Sequence, residues 1–266
     1  MKRVITGICI SGLWLLLLFT SPFPIFWLTI TLVAAVALAE YFTIALPKQD
    51  KHYRLLLILL GLLPLIGAYP GHNLLMLCGL TIALLALLIF SISRYSALAQ
   101  PFEFISRAGF GFFYISLCIA HLILLMDLLQ GRFLLLLLTA ITAGSDTAAY
   151  YSGRLFGKHK LSPAISPGKT IEGFIGGVVG SVMAAMVVKY FFLPDFSYLW
   201  VGLTAVALSC LGVVGDLSES VIKRTFAVKD SGSILPGHGG VLDRIDSLLL
   251  TAPALYYIVI FYIILN

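Results

Sequence analysis

The sequence predicts an all-α, polytopic integral membrane protein with about nine transmembrane helices and its N-terminus in the cytoplasm. Three observations predict it. First, 60% of the 266 residues are hydrophobic and only 11% are charged, whereas a soluble domain carries about 25% charge. Second, the apolar runs are long and recur from one end of the chain to the other, so lipid must solvate most of the surface. Third, the basic residues fall almost entirely in alternate connections between those runs.

About 20 apolar residues cross a bilayer. On that measure the expected spans are 4–19, 25–45, 55–68, 74–92, 109–129, 133–150, 174–192, 198–214 and 247–265. The third is short and is followed by Pro70 and Gly71, so the third and fourth can form a tight hairpin. The first run follows Lys2 and Arg3 as a signal peptide would. Ser21, Pro22 and Pro24 follow it in place of a small-residue cleavage site, so it reads as a retained helix. No repeat of solenoid or inverted-transporter type is evident.

With the N-terminus inside, fifteen of the seventeen Lys and Arg lie on the cytoplasmic side. Only Arg132 and Lys189 fall towards the other face. The net charge of +5 follows from the same bias and suits a surface facing anionic headgroups. It does not indicate nucleic-acid binding, because the basic residues are dispersed among loops and the aromatics belong to spans. Cys9, Cys78, Cys118 and Cys210 stand singly in apolar stretches, as packing residues do. The histidines are scattered, which argues against a zinc site.

Polar chemistry gathers in the second part of the chain. The reading therefore divides 1–108, a set of N-terminal helices, from 109–266, a catalytic region with cytoplasmic loops 151–173 and 215–246. Asp146, Glu172, Asp216, Glu219, Asp230, Asp243 and Asp246 flank or occupy those loops. Long loops in compact proteins are usually functional, and so are ionisable groups at the lip of a span.

In the second loop Asp243 and Asp246 are three residues apart at the start of a helix and share a face. Asp216 and Glu219 have the same spacing. Hard oxygen ligands of this kind suit Mg²⁺, so Asp216, Asp243 and Asp246 are the expected metal ligands. Lys223, Arg224, Lys229 and Arg244 supply cations for phosphate groups. Gly237, Gly239 and Gly240 let backbone amides approach a ligand, and Pro236 stiffens the turn before His238. In the first loop Ser166, Lys169 and Thr170 are donors suited to phosphate. Asp146 ends a strongly apolar helix, an expensive place for a lone carboxylate. A solvated loop with helix-capping carboxylates is the bland alternative, and it explains Ser166 and Thr170 better than it explains Asp146. Glu40, His121 and Asp127 lie within or beside other spans and read as packing or interface groups. Gly173, Gly176, Gly177 and Gly180 lack a following Lys-Ser/Thr, so they form no P-loop. Their spacing suits close helix packing.

The segment Ser220 to Asp246 resembles the signature of the phosphatidate cytidylyltransferase (CDP-diacylglycerol synthase) family. The matching positions are Ser220, Lys223, Arg224, Lys229, Asp230, His238, Gly239, Gly240, Asp243, Arg244 and Asp246. Upstream, Ser166-Pro-Gly-Lys-Thr-Ile-Glu-Gly173 is similar to the family's second conserved stretch. The resemblance covers roughly 144–246. It implies a reaction in which CTP and phosphatidate give CDP-diacylglycerol and pyrophosphate, with Mg²⁺ and a second cation. It also implies a homodimer in a bacterial-type inner membrane, with the site facing the cytoplasm. Under it, Lys223, Arg224, Lys229, Asp230, His238 and Arg244 are catalytic. Asp146, Ser166, Lys169, Thr170, Glu172, Ser220, Gly239 and Gly240 contact substrate. Two rival readings are a CTP-dependent enzyme acting on a polyprenol or archaeal ether lipid, and an ion-coupled transporter. The transporter reading expects ionisable groups near mid-membrane in broken helices, whereas here they cluster at one face.

Overall fold

Runs of Leu, Ile, Ala and Val with few breakers fold as helices because lipid leaves a backbone no other partner for its amides. The computed structural model describes residues 2–69, 72–234 and 239–265. In chain order these form α1 (Lys2–Thr20), α2 (Phe23–Ala45), a 3₁₀ turn (Lys48–Tyr53), α3 (Arg54–Gly61), α4 (Leu63–Gly67) and α5 (Asn73–Ser93). Next comes a continuous helical run of α6 (Pro101–Gly111), a π segment (Phe112–Leu117) and α7 (Cys118–Asp127). Then follow α8 (Gly131–Phe156), β1 (Lys160–Ser162), β2 (Ser166–Thr170), α9 (Ile171–Phe192), α10 (Tyr198–Thr225) and α11 (Leu242–Leu265).

Among the described residues seven helices are long and apolar enough to cross a membrane, two fewer than the nine spans expected. Among the described residues the first run contributes a shorter apolar helix, Gly7–Thr20. The expected span 55–68 is broken at Leu62 into α3 and α4, with Pro64 in the first turn of α4. A proline is tolerated there and not in a helix interior.

Two expected boundaries move because hydropathy stops before helical structure does. α8 runs on past residue 150 to Phe156, and α10 runs past 214 to Thr225. The extension of α10 holds no Gly or Pro after Gly215, and Lys223 pairs with Glu219 at i,i+4, 2.5 Å apart. Such spacing supports a helix. Asp216, Glu219, Ser220, Lys223 and Arg224 are therefore helical, and the second loop shrinks to 226–241. The first loop contains an element the all-α expectation lacked, a small antiparallel hairpin pairing Lys160 with Thr170 and Ser162 with Ser166.

The chain forms two compact units, Met1–Leu128 with Phe226–Ile245, and Leu129–Thr225 with Asp246–Asn266. The division anticipated at residue 108 falls inside the helical run Pro101–Asp127.

In the first unit, Phe26, Leu38, Phe42, Phe104, Phe112 and Ile115 are fully buried. Phe42 meets Phe112 edge-on with centroids 6.3 Å apart, a favoured aromatic geometry. Buried polar tips find backbone acceptors: Trp27 Nε1 donates to Leu65 O (2.9 Å) and the Tyr41 hydroxyl to Arg107 O (2.9 Å). Arg107 donates to Ala45 O and to Glu103 Oε2, each at 2.6 Å.

In the second unit, α8 and α9 pack through small residues, as the glycine spacing predicts. A Cβ on Gly177 would stand 3.0 Å from Ser145 Oγ, and one on Gly180 would stand 2.8 Å from Gly144 O. Apolar helices gain little hydrophobic drive against each other in lipid, so close backbone approach and interhelical hydrogen bonds hold the bundle. Ser145 and Ser209 hydroxyls bond across α8 and α10 (2.9 Å), and Ser181 Oγ donates to Ala205 O (3.4 Å) between α9 and α10. Near the start of α11, Gly215 approaches the Asp246 carbonyl so closely that a Cβ would lie 2.6 Å from it.

Candidate active site

Within the second unit the C-terminal halves of α8 and α10 and the first residues of α9 and α11 carry the polar side chains. Asp146 lies on α8, Lys169 and Thr170 end β2, Asp216 lies on α10 and Asp246 on α11. Asp146, Lys169, Thr170 and Asp216 line one cavity of about 460 Å³, together with Tyr150, Arg154, Phe174 and Val213. Lys169 Nζ forms an ion pair with Asp216 Oδ2 at 2.6 Å, both side chains being part-exposed. Arg154 donates to the Tyr150 hydroxyl (3.3 Å) on the same wall.

The hairpin positions Lys169 at the cavity, and its geometry explains two expected substrate residues. Thr170 is the N-cap of α9, and its Oγ1 accepts from Gly173 N at 3.1 Å. This satisfies an amide that a helix start otherwise leaves unpaired. A Cβ on Gly153 would reach within 3.0 Å of Thr170 Oγ1, so α8 passes directly over the cap. Glu172 binds the other side of the hairpin. It accepts from Lys158 N (3.0 Å) and His159 N (3.2 Å) and meets His159 Nδ1 at 2.7 Å. Thr170 and Glu172 thus lock hairpin to helix. Ser166 lies at the opposite end of β2, paired with Ser162 and outside the cavity lining.

Asp246 Oδ1 accepts from its neighbour Ser247 N (2.7 Å). The charges of Asp216 and Asp146 bear on Asp246 with like sign, and Lys223 with opposite sign. Lys223 also pairs with Glu219, whose side chain is 1% exposed. Arg224 is exposed on the last turn of α10, and Ser220 is half-buried one turn earlier.

The donor set of the second unit fits a hard divalent cation in type: carboxylate oxygens from three helices whose mutual repulsion a cation relieves. Among the described residues, no three acidic, His or Cys side chains meet closely enough to form a ligand group. Lys169 holds Asp216 meanwhile.

In the first unit Asp243 ties Ser231 to Gly240. Asp243 Oδ2 accepts from Ser231 N (2.9 Å), Ser231 Oγ (3.0 Å) and Gly240 N (2.8 Å). Asp243 was expected as a metal ligand, and this one of its oxygens braces the loop. Gly239 has φ +79, and a Cβ there would lie 2.5 Å from Asp243 Oδ2. Only glycine takes that backbone conformation beside that carboxylate without strain. Lys229, Asp230 and Arg244 are exposed around the loop. His238, Pro236 and Gly237 lie outside the described residues.

Glu40, expected as a packing or interface group, holds loop backbone amides and a loop hydroxyl. It is 6% exposed and accepts from Val241 N (3.0 Å), Leu242 N (2.9 Å) and Ser231 Oγ (3.2 Å). The available signal was a lone carboxylate in the otherwise uncharged helix 23–45, which defaults to a functional reading.

Comparison with known proteins agrees with this chemistry. The family model described as the cytidylyltransferase family matches residues 1–262. The chain is 34% identical over 264 residues to the phosphatidate cytidylyltransferase of Bacillus subtilis (strain 168), covering 97% of this chain and 96% of that protein. It is 43% identical over 188 residues to the enzyme of that name from Staphylococcus saprophyticus, covering 69% and 68%. It is 41% identical over 191 residues to that of Staphylococcus aureus (strain COL), with the same coverage. A match across nearly the whole length, joined to the apolar helices and the carboxylate-lined cavity, shows that the chain belongs to the cytidylyltransferase family.

Proposed function

We propose that this integral membrane enzyme transfers CMP from CTP to phosphatidate, giving CDP-diacylglycerol and pyrophosphate. The observation that carries the reading is the cavity that Lys169, Asp216 and Asp146 line, in a chain whose Bacillus subtilis relative, named for that activity, matches 97% of it. A phosphatidate phosphate oxygen attacks the α-phosphorus of CTP. The new P–O bond forms as the bond from the α-phosphorus to the bridging oxygen of the β-phosphate breaks, and pyrophosphate leaves with that electron pair. An ionised phosphate monoester is already nucleophilic, so the reaction needs no general base.

Both reactants are anions, and bringing them together is the main barrier. Lys169 and Arg154 offer cations at the cavity, and the charge of Lys223 bears on Asp246 with opposite sign. These groups hold phosphates in line and offset their charge. Tyr150, Phe174 and Val213 give the same cavity an apolar wall suited to the glycerol end of a lipid or to a base. Asp216 and Asp246, with Asp146 beside them, are the residues proposed to hold Mg²⁺. A divalent cation held there supplies charge neutralisation between the phosphate groups. A second cation, a homodimeric state and an inner-membrane location with this face in the cytoplasm belong to the same proposal.

The test is pyrophosphate release from CTP by purified protein in detergent, with and without phosphatidate. The reading expects release only when both are present. Equal release with phosphatidate omitted, or release supported by other lipids alone, contradicts it.

A further inference from the structure

Glu40 sits one turn from the end of α2, 191 residues in sequence from Ser231 and 202 from Leu242. Its carboxylate touches both ends of the segment 231–242. At the far end it takes the amides of Val241, just before α11, and of Leu242, its first residue. At the near end it takes the Ser231 hydroxyl. That hydroxyl also reaches Asp243 Oδ2, so one donor is shared between two buried carboxylates.

The loop is shaped around this acid. A Cβ on Gly232 would lie 2.5 Å from Glu40 Oε1, and one on Gly240 would lie 2.5 Å from Glu40 Oε2. Two glycines, Gly232 and Gly240, therefore leave room for Glu40. Packing alone does not explain such a group. A buried carboxylate is costly unless charge-assisted hydrogen bonds compensate it, and an apolar side chain would fill the same space at less cost. What the acid adds is a fixed geometry. Its two oxygens hold the loop ends in register, and the positive end of the α11 dipole favours its charge.

We propose that Glu40 is a positioning residue for the reaction. It pins Ser231, Val241 and Leu242 so that the first turn of α11, with Asp243 and Arg244, keeps its working conformation. The proposal rests on the cytidylyltransferase reading. A small displacement of reacting groups lowers turnover by up to about 10²-fold without abolishing binding. Glu40→Gln tests this because it keeps size but places an NH₂ against a backbone N–H, leaving one loop amide without its acceptor.

The experiment measures kcat and KM for CTP with phosphatidate, per folded enzyme, in wild type and Glu40→Gln. Amide hydrogen exchange is followed in both. The expected result is a fall in kcat of about tenfold or more, KM for CTP within about threefold, and faster exchange at Gly240, Val241 and Leu242. A kcat close to wild type, or a loss confined to KM, overturns the proposal. If Glu40→Gln does not accumulate, the wild-type protein still decides. Protected amides at Val241 and Leu242 together with a lowered kcat in Ser231→Ala support the proposal. Exchange there as fast as in an unstructured peptide overturns it. If wild type releases no pyrophosphate from CTP and phosphatidate, the assigned reaction fails instead, and the exchange measurement continues to test Glu40 by itself.

Discussion

Lys169 Nζ stands 2.6 Å from Asp216 Oδ2, joining the end of β2 to α10 at the cavity wall. The pair sets a cation beside a carboxylate at the cavity proposed above for the triphosphate and a divalent ion. Its strength as a surface ion pair is small, because both side chains are part-exposed and solvent screens them. Its value lies in positioning. Lys169→Met is expected to lower phosphatidate-dependent pyrophosphate release by about 10²-fold while the protein still accumulates in the membrane. Activity within a few-fold of wild type removes Lys169 from the phosphate site.

Asp243 and Asp246 are three residues apart, yet their surroundings differ. Asp243 Oδ2 binds three loop donors, whereas Asp246 feels the like charges of Asp216 and Asp146. Asp243→Asn is therefore expected to lower stability, by about 1–3 kcal/mol for a buried donor left unpaired, as read by thermal unfolding in detergent. Asp246→Asn is expected to leave the melting temperature near wild type and to raise the Mg²⁺ concentration needed for half-maximal activity. The opposite pattern exchanges the two roles.

The Thr170 cap of α9 gives a third expectation. Thr170→Ala loses the hydroxyl that accepts from Gly173 N and is expected to cost about 1 kcal/mol. Thr170→Ser keeps the acceptor and is expected to unfold close to wild type. Equal stability in the two variants means that the hydroxyl does not cap the helix.

Close packing of α8 on α9 predicts a contrast between glycines. Gly180→Val drives a side chain into Gly144 O and Ala148 and is expected to abolish stable accumulation in the membrane. Gly12→Val meets nothing within 4 Å and is expected to accumulate normally. Western quantification of membrane fractions checks both, and normal accumulation of Gly180→Val contradicts the packing described.

Much of the fold was legible because hydropathy reports where lipid is. It reports less well where a helix ends. α8 and α10 continue beyond their apolar stretches into Arg154 and Lys223, since charged residues at a lip are good helix formers. The β-hairpin was hidden for a similar reason. Its strands are three and five residues long and are held by Glu172, not by an alternating pattern. The candidate residues Lys169 and Asp216, which pair at the cavity wall, were legible from charge at the membrane edge and from the signature. Glu40 was not, because its partners lie about two hundred residues away and no spacing rule links them. The employment of Asp243 in the loop was hidden too, since a carboxylate near a helix start reads equally as ligand or cap.

The account depends on carboxylates of the second unit holding a divalent cation for nucleotide transfer. The most direct measurement is CTP- and phosphatidate-dependent pyrophosphate release by EDTA-treated protein on titration with Mg²⁺. Wild type is compared with the double variant Asp216→Asn, Asp246→Asn. The account predicts that wild type is silent after EDTA and recovers with Mg²⁺, while the double variant stays silent at every Mg²⁺ concentration. Full turnover of wild type in EDTA, or recovery of the double variant to the wild-type rate, contradicts it.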